Sequence, residues 1–409
     1  MPEAVRFGLI GGGLMGREFA SAVARWLHLI DHPALPRIVA VCDTDPAVLD
    51  WYRTSLPAPL HTTTDHRELL ARADVDAVYC AVPHNLHASV FTDVLEAGKH
   101  LLGEKPFGID LAANGAILDA VRRHPDLVVR CSSEIPFFPG AYRIAGWVEE
   151  GRFGRILEVE AGMWHSSDLD PRKPINWKRR AATNGEYGCM GDLGMHVVHL
   201  PFRFGWFPRT VRALLSDIVT ERPGADGRMV PCDTWDNAIL ACDVAAGEQR
   251  FPMLLSTKRI APGHANTWYI RVIGSRFSAQ FSTRSPKRLL TLDYTPGGDQ
   301  AWAAVDAPYR SAYPTVSGAI FEFGFSDAIL QMIAAFCDEV VNRDRMRQPF
   351  RCATPEEARR SHILFTAALR SQAGSEVVAL EAALASAADA PPPGQPGTEW
   401  SEGPLKTPR

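Results

Sequence analysis

The sequence predicts two units, an α/β unit with a doubly wound parallel sheet over residues 1–131 and an α+β unit with a mainly antiparallel sheet over residues 132–375. Three observations carry this reading. Apolar β-type runs alternate with helical patterns to about residue 130, long β-type runs follow one another from Gly154 onward, and 409 residues exceed one ordinary core. Residues 376–409, rich in Ala and Pro and without periodicity, are expected to be an extended or partly disordered tail.

In the first unit the expected strands are "VRFGLI", "RIVAVC", "DAVYCAV", "KHLLG" and "DLVVR". Helices are expected from Leu14, from Pro46, after Asn85 and from about Leu111, and right-handed crossovers wind them onto both faces of the sheet. Asp45 is placed to cap the helix that Pro46 opens. In the second unit the strands are "RILEVEAGMWH", "TVRALLSDIV", "NAILACDV", "RFPMLLSTKRI", "TWYIRVIG" and "RFSAQFS". Helices near Pro139–Glu150, Asp192–Phe204, Ser326–Asn342 and Pro355–Ser371 are expected to cover one face of that sheet.

A formal charge of −4 gives no reason to expect a polyanion partner, whether nucleic acid or an acidic membrane surface. No stretch approaches the roughly 20 apolar residues that span a bilayer, and "MPEAVRFGLI" lacks the features of a leader, so a cytoplasmic location is expected. The eight cysteines are dispersed with no C-x-x-C pair, which reads as buried, reduced thiols rather than zinc or redox chemistry.

"GLIGGGLMGREF" places Gly11, Gly13 and Gly16 between a buried strand and a helix. There Gly11 permits the tight turn, Gly13 lets a pyrophosphate approach the backbone, and Gly16 lets helix and strand pack closely. Amides around Leu14 and Met15 would face the negative charge. Asp43, at the end of the second strand, is placed to accept hydrogen bonds from the hydroxyls of an adenosine ribose and to repel a 2′-phosphate, so NAD is expected over NADP. Asp43 lies 27 residues past Gly16 rather than the usual spacing of about 20 from the fingerprint, and "HLIDHPALPR" reads as a loop that absorbs the excess.

In "GCMGDLGMHVVHL", Asp192 and His196 are four apart and share a helix face. An imidazole suits removal of a hydroxyl proton, and a neighbouring carboxylate can restrain the ring and favour the imidazolium. His199 extends that face, but no further ligand is evident and no metal is expected.

"AGKHLLGEKPFGID" and "AVPHNLHASV" resemble the glucose-fructose oxidoreductase, inositol dehydrogenase and MocA family, whose members act on sugars and polyols with nicotinamide cofactors. The resemblance extends to about residue 375 and implies that the sheet of the second unit is large and open, with an exposed face that makes a homo-oligomer. It implies a Rossmann domain whose cofactor lies along Pro83, Asn85 and His87, with Glu104 and Lys105 from the Glu-Lys-Pro triplet beside it. His87 reads equally as a packed helix-start histidine, and His84, where many members have Asn, receives no role. The Asp-x-Gly-x-His helix carries catalytic roles onto Asp192 and His196, and Lys105 is expected to polarise the reacting oxygen.

"PINWKRRAATNGEYG" resembles the family's Trp-Arg/Lys loop, which places Trp177 and Lys178 against nicotinamide or substrate, a solvated surface loop being the alternative. His199 stands where many members carry Asp, and is a candidate substrate contact. Glu134, Pro136 and Phe137 stand where members often show Asn and Arg, so a less cationic pocket and an unphosphorylated substrate are expected. The resulting expectation is an NAD-dependent dehydrogenase oxidising a secondary hydroxyl of a neutral sugar, anhydrosugar or cyclic polyol, assembled as a homo-oligomer through its open sheet. The alternatives are a glycosidase or lyase that oxidises its sugar transiently and a non-catalytic sugar or redox sensor.

Overall fold

The computed structural model describes residues 2–306, 311–348 and 350–381. The expected tail lies outside the described residues from 382 onward. Two sheets organise the chain. The first comprises β1 (Glu3–Ile10), β2 (Ala34–Cys42), β3 (His61–Thr63), β4 (Ala77–Cys80), β5 (His100–Glu104) and β6 (Val129–Ser132) in the order β3-β2-β1-β4-β5-β6. Every pairing is parallel. The chain builds outward from β1 to β3, then returns to β4 on the other side of β1, and that reversal opens a crevice at the carboxyl ends of the strands. The helices are α1 (Leu14–Ala24), α2 (Pro46–Ser55), α3 (His66–Leu70), α4 (His87–Glu96) and α5 (Leu111–Arg123). Asp45 caps α2 by accepting from the Ala47 N–H at 2.9 Å, with Pro46 in the first turn.

β2 starts three residues earlier than "RIVAVC" and takes in much of the expected loop. Pro36 is tolerated there because β3 pairs only with Ala40–Cys42, so beside Pro36 the strand has a neighbour on one side only.

The second sheet uses β7 (Ile156–Trp164), β8 (Pro208–Ser216), β11 (Asn237–Ala246), β12 (Gln249–Lys258), β13 (Thr267–Gly274), β14 (Phe277–Ser282), β15 (Arg288–Asp293), β16 (Ala303–Asp306) and β17 (Val378–Ala379), while β9 (Glu221–Pro223) and β10 (Met229–Pro231) form a separate hairpin. The order is β16-β15-β14-β13-β7-β12-β11-β8-β17, antiparallel except for β7 beside β12. β17 pairs with β8 past residue 375, so the start of the expected tail is part of this sheet.

Helices α6 (Pro139–Glu149), α7 (Ala181–Asn184), α8 (Cys189–Arg203), α9 (Phe325–Asn342) and α10 (Pro355–Gly374) complete the fold. α6 packs on β14, and α8 on β7 and β12, with α10 behind it. α9 does not cover the second sheet as expected. It packs on α1, β1 and β2 of the first sheet, with Phe336 against Phe7 at 6.0 Å and Asp327 paired to Arg25 at 2.6 Å. The first sheet needs an apolar cover on that side, and α9 is apolar nearly all round, with every residue from Ala328 to Glu339 buried. One continuous core therefore runs between the two sheets. All eight cysteines are buried and free. Among the described residues no helix is long and apolar enough to cross a membrane.

α8 is held with little slack, since a methyl group at Gly194 would come within 2.5–2.9 Å of the Phe365 ring on α10. Gly194→Ala is expected to destabilise the protein by about 1–3 kcal/mol through overpacking, read as a lower urea midpoint with an unchanged slope.

Candidate active site

The glycine loop follows β1 with the mechanics its spacing implies. Gly11 has φ +93°, and a Cβ there would lie 2.4 Å from the Ala81 carbonyl oxygen. A Cβ on Gly16 would lie 2.4 Å from the Gly11 oxygen and 2.7 Å from the Tyr52 hydroxyl. Around Gly13 nothing lies within 4 Å of that position, and α1 begins without a side-chain cap. The amides at Leu14 and Met15 thus open onto a cradle that a phosphate fits. Asp43 sits at the end of β2, where its Oδ2 accepts from the Gly12 N–H at 2.7 Å and its Oδ1 from the Asp45 N–H at 2.9 Å. It braces the glycine loop, and each oxygen retains a lone pair for a further donor. These residues fit a dinucleotide.

Pro83 opens the turn after β4, with Asn85 exposed. His87 is wholly buried, its Nε2 donating to the Val82 carbonyl at 3.1 Å and its Nδ1 accepting from the Gly108 N–H at 3.3 Å. Burial holds its pKa down to about 3. This corrects the cofactor contact expected at His87, because both ring nitrogens are committed to shaping the loop. Glu104 is likewise turned inward, accepting from the Tyr79 hydroxyl at 2.6 Å. His84 acts as a strut between the two halves, with Nδ1 on the Asn184 carbonyl at 3.0 Å and its ring edge-on to Trp177 at 4.9 Å.

Lys105, at the carboxyl end of β5, reaches α8 of the other half. Its ammonium donates to Asp192 Oδ1 at 2.9 Å and to the Asp192 carbonyl. Lys178, from the single turn Trp177–Arg179, donates to the same Oδ1 at 2.9 Å, and Arg259 occupies Oδ2. Arg259 also donates to Asp168 at 2.8 Å, and Asp168 pairs with Lys173. Burial disfavours the Asp192 carboxylate, but Lys105, Lys178 and Arg259 overcome it and hold its pKa well below the usual range. Burial also works against the Lys105 ammonium, which Asp192 and Glu104 keep charged with a raised pKa. For Lys178 burial wins, and its pKa is lowered.

His196 lies one turn beyond Asp192 on α8, buried, with its carbonyl accepting from Trp268 Nε1 at 2.9 Å. The expected partnership differs in detail. Asp192 does not hydrogen-bond the ring, since both of its oxygens are occupied by cations. The nearest carboxylate to the ring is Glu134, whose Oε2 lies 3.8 Å from His196 Nδ1. Burial, then the Lys105 ammonium, push the His196 pKa well below the ordinary value. His199 is corrected as a substrate contact, because its Nε2 accepts from Arg203 at 2.9 Å against Glu357 of α10. Among the described residues no three His, Cys, Asp or Glu side chains are grouped to hold a metal. Sequence reasoning missed Arg259, Asp168 and the Glu134 contact. The one signal available was an arginine closing a strand at "STKRI".

Asp192→Asn removes the carboxylate that Lys105, Lys178 and Arg259 share, leaving Arg259 with Asp168 and the two lysines without their counter-charge, and is expected to cost about 3 kcal/mol or more in urea unfolding at pH 7. The folded pKa of Asp192 is depressed, so its contribution is complete above the unfolded carboxylate pKa and is lost as pH falls through the folded value. The gap between wild type and Asp192→Asn should therefore persist at pH 5 and close only in strong acid.

Residues 5–130 match the model of the family described as "Oxidoreductase family, NAD-binding Rossmann fold". Levoglucosan dehydrogenase of Pseudarthrobacter phenanthrenivorans is 30% identical over 229 residues, 55% of this chain and 57% of that protein. An alpha-N-acetylgalactosaminidase of Shewanella oneidensis is 30% identical over 171 residues, 40% of this chain and 36% of that protein. The chain thus spans about half the length, or less, of these curated relatives. A solved levoglucosan dehydrogenase in complex with NADH and levoglucosan shares the fold at a TM-score of 0.80 and 23% identity, over 92% of this chain and all of that one. Over residues 5–130 the chain thus matches the glucose-fructose oxidoreductase, inositol dehydrogenase and MocA family of NAD-binding oxidoreductases.

Proposed function

We propose that this protein is an NAD-dependent dehydrogenase that oxidises a secondary hydroxyl of a neutral sugar, anhydrosugar or cyclic polyol. The observation that carries the reading is the contact between Lys105 of the first half and Asp192 of α8, with His196 one turn further along the same helix. When bound, the nicotinamide supplies the hydride acceptor. Lys105 holds positive charge where the substrate oxygen becomes an alkoxide, a contribution that grows in a poorly hydrated cleft. His196 takes the hydroxyl proton. Asp192 aims Lys105 and Lys178, and Trp177 and Lys178 border the substrate. Gly11, Gly13, Gly16 and the amides at Leu14 and Met15 hold the pyrophosphate, Pro83 and Asn85 flank the nicotinamide side, and Asp43 favours NAD over NADP. The levoglucosan dehydrogenase relative supports a sugar or anhydrosugar substrate.

The outward face of the second sheet presents Leu157, Leu214, Ile239 and Leu254 on four neighbouring strands, which supports a homo-oligomer. The galactosaminidase relative favours a second reading, transient oxidation followed by elimination and re-reduction. A glycosidase of that kind turns over glycosides with no net NADH.

A panel of unphosphorylated sugars, inositols and anhydrosugars assayed with NAD and NADP is expected to give NADH in step with oxidised product. Lys105→Met and His196→Ala should each lower kcat by about 10²-fold or more with NADH binding retained, and unchanged rates in both would reject the assignment. Gly13→Ala meets no protein atom, so it should leave stability within about 0.5 kcal/mol. Its NADH affinity, read by fluorescence titration, is expected to fall about tenfold or more because the methyl group enters the pyrophosphate cradle.

A further inference from the structure

His196 is poorly suited to act as a base alone. Burial and then the ammonium of Lys105 oppose a positive charge on its ring, the Asp192 carboxylate offsets this in part, and His199 and Lys178 add to the opposition. Asp192, the carboxylate four residues away, makes no hydrogen bond to the ring and is turned to its cations, Oδ1 accepting from two lysines and Oδ2 from Arg259. His196 Nδ1 is fully enclosed with no hydrogen-bond partner among the described residues. A buried imidazole nitrogen left unpaired is costly and calls for an explanation.

One carboxylate faces that nitrogen. Glu134 follows β6 at the carboxyl edge of the first sheet, 3% exposed, with Oε2 3.8 Å from His196 Nδ1. We propose that Glu134 is a positioning residue that acts through His196, accepting the proton from Nδ1 as Nε2 takes one from the substrate hydroxyl. This rests on the dehydrogenase reading above.

The balance is complete. The substrate O–H bond breaks and its proton goes to Nε2. The Nδ1–H bond breaks and its proton goes to Glu134 Oε2, so the ring stays neutral overall. The electron pair of the substrate C–H bond leaves as hydride to the oxidised nicotinamide dinucleotide. The 3.8 Å separation closes by a small shift on substrate binding or through one water, since catalytic hydrogen bonds are commonly long before the substrate arrives.

The groups facing Glu134 are consistent with a proton acceptor working near neutrality. Burial, opposed in part by a backbone hydrogen bond, pushes its pKa up to about 7, with Glu104 raising it and Lys105 lowering it. Tyr79 stands on the same side, its hydroxyl committed to Glu104. Glu134 is therefore competent as carboxylate above about pH 7 and blocked as acid below it.

The test compares wild type, Glu134→Gln and Glu134→Asp in two measurements. In oxidation kinetics the wild-type kcat is expected to rise with pH through a limb near 7. Glu134→Gln should lose that limb and about 10–100-fold in kcat with KM within about twofold, and Glu134→Asp should restore the limb in part. In ¹⁵N NMR of histidine-labelled protein, free and with NADH, the His196 Nδ1 resonance should shift with the same midpoint in wild type and Glu134→Asp, and should not in Glu134→Gln. The NMR comparison needs no turnover, and Glu134→Asp covers the case in which the glutamine variant does not fold. An unchanged limb in Glu134→Gln, or an Nδ1 resonance that ignores the substitution, overturns the proposal. Loss of turnover in His196→Ala alongside an indifferent Glu134→Gln would reject the relay and keep His196 as base. A fully active His196→Ala would reject both.

Discussion

The arrangement depends on one buried carboxylate. Asp192 accepts from Lys105 after β5, Lys178 from the loop before α8, and Arg259 at the end of β12, so three distant segments meet on a side chain that is 1% exposed. Bringing four charges out of water is expensive, and such clusters do little for net stability when compared with apolar packing. What this one supplies is direction. Lys105 and Lys178 share a single oxygen, which sets the spacing of two ammonium groups more tightly than either flexible stem does alone.

That cluster is possible because the two sheets share a core. α9 leaves the second half of the sequence to cover the first sheet, and the Arg130–Glu339 pair, held by an Arg130 Nε bond of 2.7 Å, ties β6 to it. Cys131 donates its N–H to the Ala353 carbonyl at 2.8 Å on the way into α10, which in turn backs α8. The helix carrying Asp192 and His196 is therefore fixed against both sheets. Low polarity strengthens every charge interaction in this region, and the same burial that sharpens Lys105 depresses the basicity of His196.

Much of this was legible in residue patterns. Strand–helix alternation predicts the parallel sheet, the glycine spacing predicts the turn and the close helix approach, and Asp45 beside Pro46 predicts the cap that forms on α2. Each of these is a local property, decided within one or two turns of chain. The readings that changed depended on distant partners. His87 and His199 look available in sequence, yet both nitrogens of His87 are taken by backbone amide and carbonyl groups, and His199 is buried with its Nε2 taken by Arg203. β16, at the sheet edge, is exposed throughout and the β9–β10 hairpin is only three residues a strand, so little in their composition distinguishes them from loops.

Sequence alone determined the fold class, the nucleotide loop, and the presence of an ammonium, a carboxylate and an imidazole at recognisable places. Only tertiary structure decided which of these pair. The i, i+4 spacing puts Asp192 and His196 on one face of α8, but electrostatics across the cleft assigns Asp192 to three cations and leaves Glu134 as the carboxylate facing the ring. Helical periodicity specifies which side chains point the same way, whereas charge pairing is settled by whatever the rest of the chain brings within about 4 Å.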